Sequence, residues 1–260
     1  MDNSVFTILA LILLGATSGM LVNYLADSLP WKRRLARPFC LNCDATQPLI
    51  TYLLLPRRCA QCHTPRGWRT WVVDIVYIGL AVWTAYHPAN RLGFWLAWLA
   101  LVYFGIVVVI DVEHRLILHP VSWVGAGIGI AIGLIRNGWI DTLIGGAVGF
   151  GLMWLLYRLG DVIMRGVARL RKQTLEEVAL GFGDVNLSGI LGLMLGWPLV
   201  VWGLFLAAVI GGVVSLVYTI IMLCLRRYQW DTALPYGPYL VAAAYLLLFW
   251  GEPLLALRGY

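Results

Sequence analysis

The sequence predicts an all-α polytopic membrane protein of about eight transmembrane helices with one small cytoplasmic loop domain. Three observations carry that expectation. Of the 260 residues, 61% are hydrophobic and only 12% charged, with a mean hydropathy of +0.81, which is a membrane composition. Eight apolar runs lie at about 5–25, 71–87, 92–110, 120–135, 140–160, 185–197, 199–224 and 237–250, each read against the roughly 30 Å of hydrocarbon a helix must cross. The third observation is where the basic residues fall.

The first run has no basic segment before it and ends in Ala26-Asp27-Ser28-Leu29-Pro30, without a small-residue cleavage site. It is therefore expected to be a retained span and not a removed signal peptide. No period of roughly 20–50 residues recurs, so a repeat architecture is not indicated. The loop after the first run holds Lys32, Arg33, Arg34, Arg37, Arg57, Arg58, Arg66 and Arg69. Arg115 follows the third run, Arg158, Arg165, Arg169, Arg171 and Lys172 cluster at the end of the fifth, and Arg226 and Arg227 follow the seventh. Only Arg91, Arg136 and Arg258 are left for the opposite face. Basic loops resist translocation, so eight spans with both termini outside and the basic loops in the cytoplasm satisfy every loop. The expected organisation is a first transmembrane helix at 1–30, a cytoplasmic loop domain at 31–70 and a transmembrane bundle at 71–260. The net charge of +6 then reflects topology and contact with membrane lipid headgroups, with no nucleic-acid partner expected.

Four of the five cysteines form Cys40-Leu-Asn-Cys43 and Cys59-Ala-Gln-Cys62. Each C-x2-C turn offers two thiolates on one side, and two such turns complete a tetrahedral zinc site. A reducing cytoplasmic location argues against disulfides. Four thiolates leave no open coordination position, so 31–70 is expected to be a structural zinc-binding loop domain. His63, beside Cys62, is more simply a surface residue than a ligand, and Cys224, alone in an apolar run, a small packed hydrophobe.

Ionisable residues at the ends of spans are costly and draw attention to function. Asp111 ends the apolar run Gly105-Ile-Val-Val-Val-Ile110, and Asp184 stands in Gly181-Phe-Gly183-Asp184 where the sixth run begins. The expected topology puts both carboxylates at one depth on the cytoplasmic side. A close pair of carboxylates tends to share one proton. One then acts as general base on a water while its protonated partner polarises a carbonyl, the division of labour of an aspartic protease. Gly181 and Gly183 permit close approach of a substrate strand. The plainer account is two unrelated helix-end carboxylates among headgroups. A phosphate-binding loop is not supported, because Gly181 to Asp184 lacks both the G-x-G-x-x-G spacing and a P-loop lysine.

These residues resemble the type IV prepilin leader peptidases, within the wider GxGD group of intramembrane aspartyl proteases. Gly181-Phe-Gly183-Asp184-Val-Asn-Leu is similar to that family's second catalytic motif, and Ile110-Asp111-Val-Glu-His-Arg-Leu-Ile to its first. Asn23 with Leu29-Pro30, the double C-x2-C loop and Pro235-Tyr236-Gly237-Pro238-Tyr239 resemble further motifs in the same order. The sequence departs from the pattern at Asn186, Leu118-His119, Ser28 and Asp74. The resemblance implies a hydrolase of the bacterial inner membrane, with Asp111 and Asp184 catalytic. It implies cleavage of the short basic leader of prepilins or pseudopilins after a glycine, in the service of a type IV pilus or type II secretion apparatus. Many members bearing the cysteine loop also methylate the new N-terminus with S-adenosylmethionine.

A transporter or a zinc-dependent assembly scaffold are the alternatives. A transporter is expected to show inverted repeats or broken midplane helices, whereas these carboxylates sit at one edge. A scaffold would tolerate loss of both aspartates. Glu113, Glu176 and Glu177 are candidates to meet a basic leader, set against snorkelling charges or a solvated helix start. The tryptophans, among them Trp68, Trp71, Trp95, Trp98 and Trp197, fit interfacial belts.

Overall fold

A computed structural model describes residues 2–33, 35–40, 42–48, 52, 57–87, 92–171, 181–226 and 235–251. Among these residues the chain is helical apart from short bridged turns in the cysteine loop. Eight helices are described: α1 Asp2–Lys32, α2 Arg69–Tyr86, α3 Gly93–His114, α4 His119–Asn137, α5 Trp139–Arg171, α6 Phe182–Leu195, α7 Leu199–Cys224 and α8 Gly237–Trp250. Four are long and apolar enough to cross a membrane, namely α1 from Val5, α3, α5 as far as Gly166, and α7. The α6 and α8 helices have 14 residues each, about 21 Å at the α-helical rise. Their surroundings, not their length, must therefore set their depth.

Large apolar side chains face outward along the long helices. Trp202, Phe205, Val213 and Leu216 of α7 and Leu143, Leu155 and Leu159 of α5 are each more than half exposed. Water would penalise such continuous apolar faces, and lipid does not.

The chain divides into two compact units, and each has its own packing logic. The first contains α1, the cysteine loop, α2 and α3. Along α1, Gly15, Gly19, Asn23 and Asp27 recur every fourth residue and so form one stripe. The glycines let α2 come close: a Cβ on Gly15 would stand 2.5 Å from the Ile78 Cα, and one on Gly19 2.8 Å from the Asp74 Cα. Asn23, fully buried, donates to the Thr70 carbonyl and to an Asp74 carboxylate oxygen, both at 3.1 Å. The Trp98 indole of α3 donates to Ser18 of α1 at 3.2 Å, and the Tyr77 hydroxyl of α2 donates to the Leu101 carbonyl at 2.8 Å. Without water to satisfy polar groups, such interhelical bonds and small-residue contacts hold spans together.

The second unit runs from α4 to α8, with α6 against α4, α5, α7 and α8. On α6, Val185, Leu187, Ser188, Leu191, Met194 and Leu195 are buried. Backbones of α5 and α6 touch: a Cβ on Gly192 would lie 2.2 Å from the Gly145 carbonyl oxygen, and one on Gly145 2.4 Å from that of Gly192. The α4 end supplies caps to both short helices. Arg136 donates to the Leu247 carbonyl of α8, which also accepts from the Gly251 N–H, and Asn137 donates to the Met194 carbonyl of α6, each side-chain contact at 3.2 Å. Gly192→Val is expected to push α5 from α6 and destabilise the protein by about 1–3 kcal/mol, the usual range for overpacking. A thermal midpoint in detergent equal to that of the wild type would contradict this contact.

Candidate functional site

Asp184 occupies the third position of α6, whose N-cap is Gly181 in extended conformation (φ −73°, ψ 139°). Its backbone N–H donates to the Gly181 carbonyl at 3.1 Å, and its side chain folds back over the cap, so that a Cβ on Gly181 would sit 3.3 Å from Asp184 Oδ2. A helix N-terminus stabilises a carboxylate through its unpaired N–H groups and dipole. Asp184 is nonetheless only 9% exposed. Gly183 serves close packing, because a Cβ there would lie 2.8 Å from that of Ile117, in the segment that leads into α4. Gly181 is exposed and faces no such neighbour.

The Pro235–Tyr239 motif comes to the same place. Burial, and then the negative charge of Asp184, raise the Tyr236 phenol above its ordinary range. The Tyr236 and Tyr239 rings lie over Gly211 of α7. Tyr236 is thus an electrostatic neighbour of Asp184 that sequence reasoning did not assign, although the motif containing it was quoted.

Asp111 lies in the first unit, in the last turn of α3, and is 5% exposed. The helix ends three residues later at His114, and Arg115 follows with a left-handed φ of 52°. Glu113 is half-exposed and forms an ion pair with Arg69 of α2. Glu176 and Glu177 lie outside the described residues.

The cysteine loop consists of two matching knuckles, one displaced from the other by 19 residues. In the first, the Cys40 N–H donates to the Ala45 carbonyl and Asp44 N–H to the Cys40 carbonyl, both at 2.9 Å, and Phe39 bridges Thr46. In the second, Cys59 N–H donates to Thr64 at 3.1 Å, His63 N–H to Cys59 at 3.0 Å, and Arg58 bridges Pro65. Asp44 and His63, at equivalent places, both have φ of 54°. The four sulfurs lie within 4.8 Å of one another, with Cys40 to Cys62 and Cys43 to Cys59 both at 3.6 Å. A tetrahedron of thiolates at the usual zinc–sulfur distance has edges of about 3.8 Å, so the cluster has the dimensions of a metal centre. The Thr64 hydroxyl and backbone lower the Cys62 thiol to about 6, and N–H groups of Cys62 and Gln61 lower that of Cys59. Such donors stabilise the thiolate that a metal requires.

The second knuckle is tied to the helices through its base. Arg57 pairs with Asp74 of α2 at 2.5 Å, both side chains being less than a tenth exposed, and its guanidinium lies over the Trp71 ring. Arg66 pairs with Asp27 of α1 at 2.6 Å. Asp27 also accepts from the Tyr52 hydroxyl and from Arg69. Burial and the Asp27 charge raise the Tyr52 phenol, which keeps it a donor. An unbroken series of charged contacts therefore runs from the knuckle through Arg66, Asp27 and Arg69 to Glu113. Arg57→Ala would leave Asp74 buried beside Asn23 without its cation and is expected to cost about 3–5 kcal/mol. A melting curve matching that of the wild type would exclude a role for this pair in stability.

Residues 97–216 match the Type IV leader peptidase family. Over that stretch the chain is similar to that family. Both Asp111 and Asp184 lie inside the matched stretch, and the cysteine loop precedes it. Relatives extend the likeness over most of the chain. A "Prepilin leader peptidase/N-methyltransferase" of Pseudomonas aeruginosa is 27% identical over 79% of this chain and 66% of its own length. Proteins of the same name from Stutzerimonas stutzeri and Legionella pneumophila are 28% and 27% identical over 84% and 85% of this chain, and 73% and 75% of their own lengths. No solved structure gives a significant match. The chain thus carries the two aspartates on α3 and α6, the four cysteines as one cluster, and Asn23 as a buried link between α1 and α2.

Proposed function

We infer that the chain is a membrane aspartyl endopeptidase that removes the basic leader of type IV prepilins or pseudopilins, cutting after a glycine, and that it N-methylates the new terminus. The observation that carries this reading is a pair of buried carboxylates at helix ends, Asp111 and Asp184, both within the stretch shared with the leader peptidase family. In the reaction, one ionised carboxylate takes a proton from water, and the water oxygen attacks the scissile carbonyl carbon. The protonated partner hydrogen-bonds the carbonyl oxygen as negative charge develops there. Collapse of the tetrahedral intermediate breaks the C–N bond, and the departing amine takes up a proton. No metal takes part in these steps. The cysteine cluster binds zinc as a structural ion, held by Cys40, Cys43, Cys59 and Cys62.

The remaining features fit this assignment. Eight spans with both termini outside would place the aspartates and the cysteine loop at the cytoplasmic face of the bacterial inner membrane. The substrate's apolar helix would enter from lipid beside Gly181, while Glu113, Glu176 and Glu177 accommodate the leader charge. The basic cytoplasmic loops repel a basic leader, and Glu113 already holds Arg69. A prepilin with a bulky residue in place of the glycine before the cut is therefore expected to lose more kcat/KM than one lacking a single leader lysine. The reverse order would mean that leader charge governs recognition. The test of the function itself is incubation of the purified protein with a prepilin, followed by mass analysis of the new N-terminus, with and without S-adenosylmethionine. An intact leader after long incubation would refute the reading.

A further inference from the structure

The second unit carries an open groove of about 420 Å³ between α4, α5 and α6. On α6 it follows Phe182, Asn186, Gly189 and Leu193, whose three- and four-residue steps put them on one face. That face is about 16 Å long at the α-helical rise. The end toward Leu193 is apolar, lined by Ala126, Gly146 and Ile190. The end toward Phe182 is polar, with His119 and Ser122 of α4 opposite Asn186 of α6. The Asn186 side chain is half-buried and has no hydrogen-bond partner among the described residues. On an apolar, lipid-facing groove such an amide is satisfied only by water or by polar groups of whatever fills the groove.

The lining distinguishes an acyl chain from a peptide helix. No lysine or arginine lines the groove among the described residues, so a lipid phosphate finds no cation there, and an acyl chain has nothing to offer the amide. A helix does, because its first four N–H groups have no partner of their own. Asn186 Oδ1 and a His119 ring nitrogen can accept them. Ser122 Oγ can too, since it only donates to the Leu118 carbonyl, at 3.2 Å. The groove also leads to the reaction site. Asp184 stands on the other side of α6 from Asn186, because residues two apart do not share a helix face. Its carboxylate, however, folds back over the cap, where Gly181 is exposed and a Cβ would lie 3.3 Å from Asp184 Oδ2. A chain rising past Phe182 and over Gly181 therefore meets the carboxylate, and a side chain on Gly181 would stand in that path. We propose that this groove docks the first turns of the substrate's apolar helix, with Asn186 accepting from its unpaired N–H groups and the chain extended over Gly181 at the cut. The proposal rests on the endopeptidase reading above and adds where the substrate lies, against α4, α5 and α6 for about three helical turns.

The experiment uses the full chain in lipid nanodiscs and two substrates, an intact type IV prepilin and a soluble peptide that spans the cut but lacks the apolar helix. The quantity read is the ratio of kcat/KM for the prepilin to that for the peptide. Asn186→Leu keeps the size and removes the acceptor, and should lower this ratio about threefold to tenfold, the factor of one hydrogen bond. Asn186→Gln, which keeps the amide, should recover part of the loss. Ala126→Phe fills the apolar end and should lower the ratio about tenfold, chiefly by raising KM for the prepilin. Leu134→Phe, at an exposed position of α4 outside the groove, should leave it unchanged. Thermal midpoints report folding, and if Ala126→Phe does not fold, Asn186→Leu carries the test alone. A photoreactive benzoylphenylalanine in place of Trp123, which lines the groove and is 78% exposed, should cross-link to the apolar segment of the prepilin. An unchanged ratio in Asn186→Leu, or cross-links to lipid or to a second copy of the chain alone with prepilin present, would overturn the docking site while leaving cleavage intact. Cross-linking to a prepilin that the wild-type protein never cleaves would count against the peptidase reading instead and leave the docking site standing.

Discussion

Asp111→Asn and Asp184→Asn are each expected to lower kcat/KM for prepilin cleavage by roughly 10²–10⁴-fold, the range that general acid–base catalysis supplies. An amide has nearly the shape of a carboxylic acid but can neither accept a proton from water nor share one. Each substitution thus removes chemistry while leaving volume. The double variant is expected to be no worse than the weaker single one, because groups that act as one unit are non-additive. Asp111 is buried near the C-terminal end of a helix and Asp184 at a helix N-terminus, so the two amides will differ in their effect on stability. Thermal midpoints measured alongside the rates separate that effect from loss of catalysis. Substantial turnover by either variant would remove the dyad, and full turnover by both would favour the scaffold alternative.

The positions of the helices were legible because apolar runs mark where a chain leaves water. The run at 199–224 coincides with α7 and that at 237–250 with α8. Hydropathy failed where helices continue through polar residues that face partners. Thus α1 runs on to Lys32 past Asn23 and Asp27, and α5 runs to Arg171 with Asp161 and Arg165 paired one turn apart at 2.6 Å. Among the described residues four helices are both long and apolar enough to be candidate spans, leaving the expected eight as a proposal. The four cysteines were readable from spacing alone, since a metal cluster needs only short local turns. What spacing could not convey is which charges meet. Asp27 and Arg66 are 39 residues apart, and nothing in the identity of an arginine names its partner. The fourfold spacing of Gly15, Gly19, Asn23 and Asp27 was the signal present, and it identifies the α1 face that receives α2. The approach of Tyr236 to Asp184 depends on how α6 and α8 pack, which the residues between them do not encode locally.

Protein purified under reducing conditions is expected to contain about one zinc ion per chain, and Cys59→Ser almost none. Structural zinc sites have apparent binding free energies of about 10–16 kcal/mol at neutral pH, and within each knuckle the turn itself is closed by only a few backbone bonds. The effect should not stay within the cluster. Cys59 lies between Arg57 and Arg66, whose side chains hold Asp74 and Asp27. A loosened knuckle therefore weakens two pairs that fasten the loop to α2 and α1, and the melting transition should fall along with the metal content. Arg69 would still hold both Asp27 and Glu113, because it belongs to α2 and not to the knuckle. Cleavage should consequently decline only in part, and a chelator should act at the rate of metal loss, not as an immediate inhibitor. The measurements are metal analysis, a thermal melt and prepilin turnover on the same preparation. Absence of zinc from active, reduced wild-type protein would eliminate the structural-zinc assignment. Immediate and complete inhibition of a still-folded protein by chelator would instead place a metal in the cleavage chemistry, against the two-aspartate mechanism.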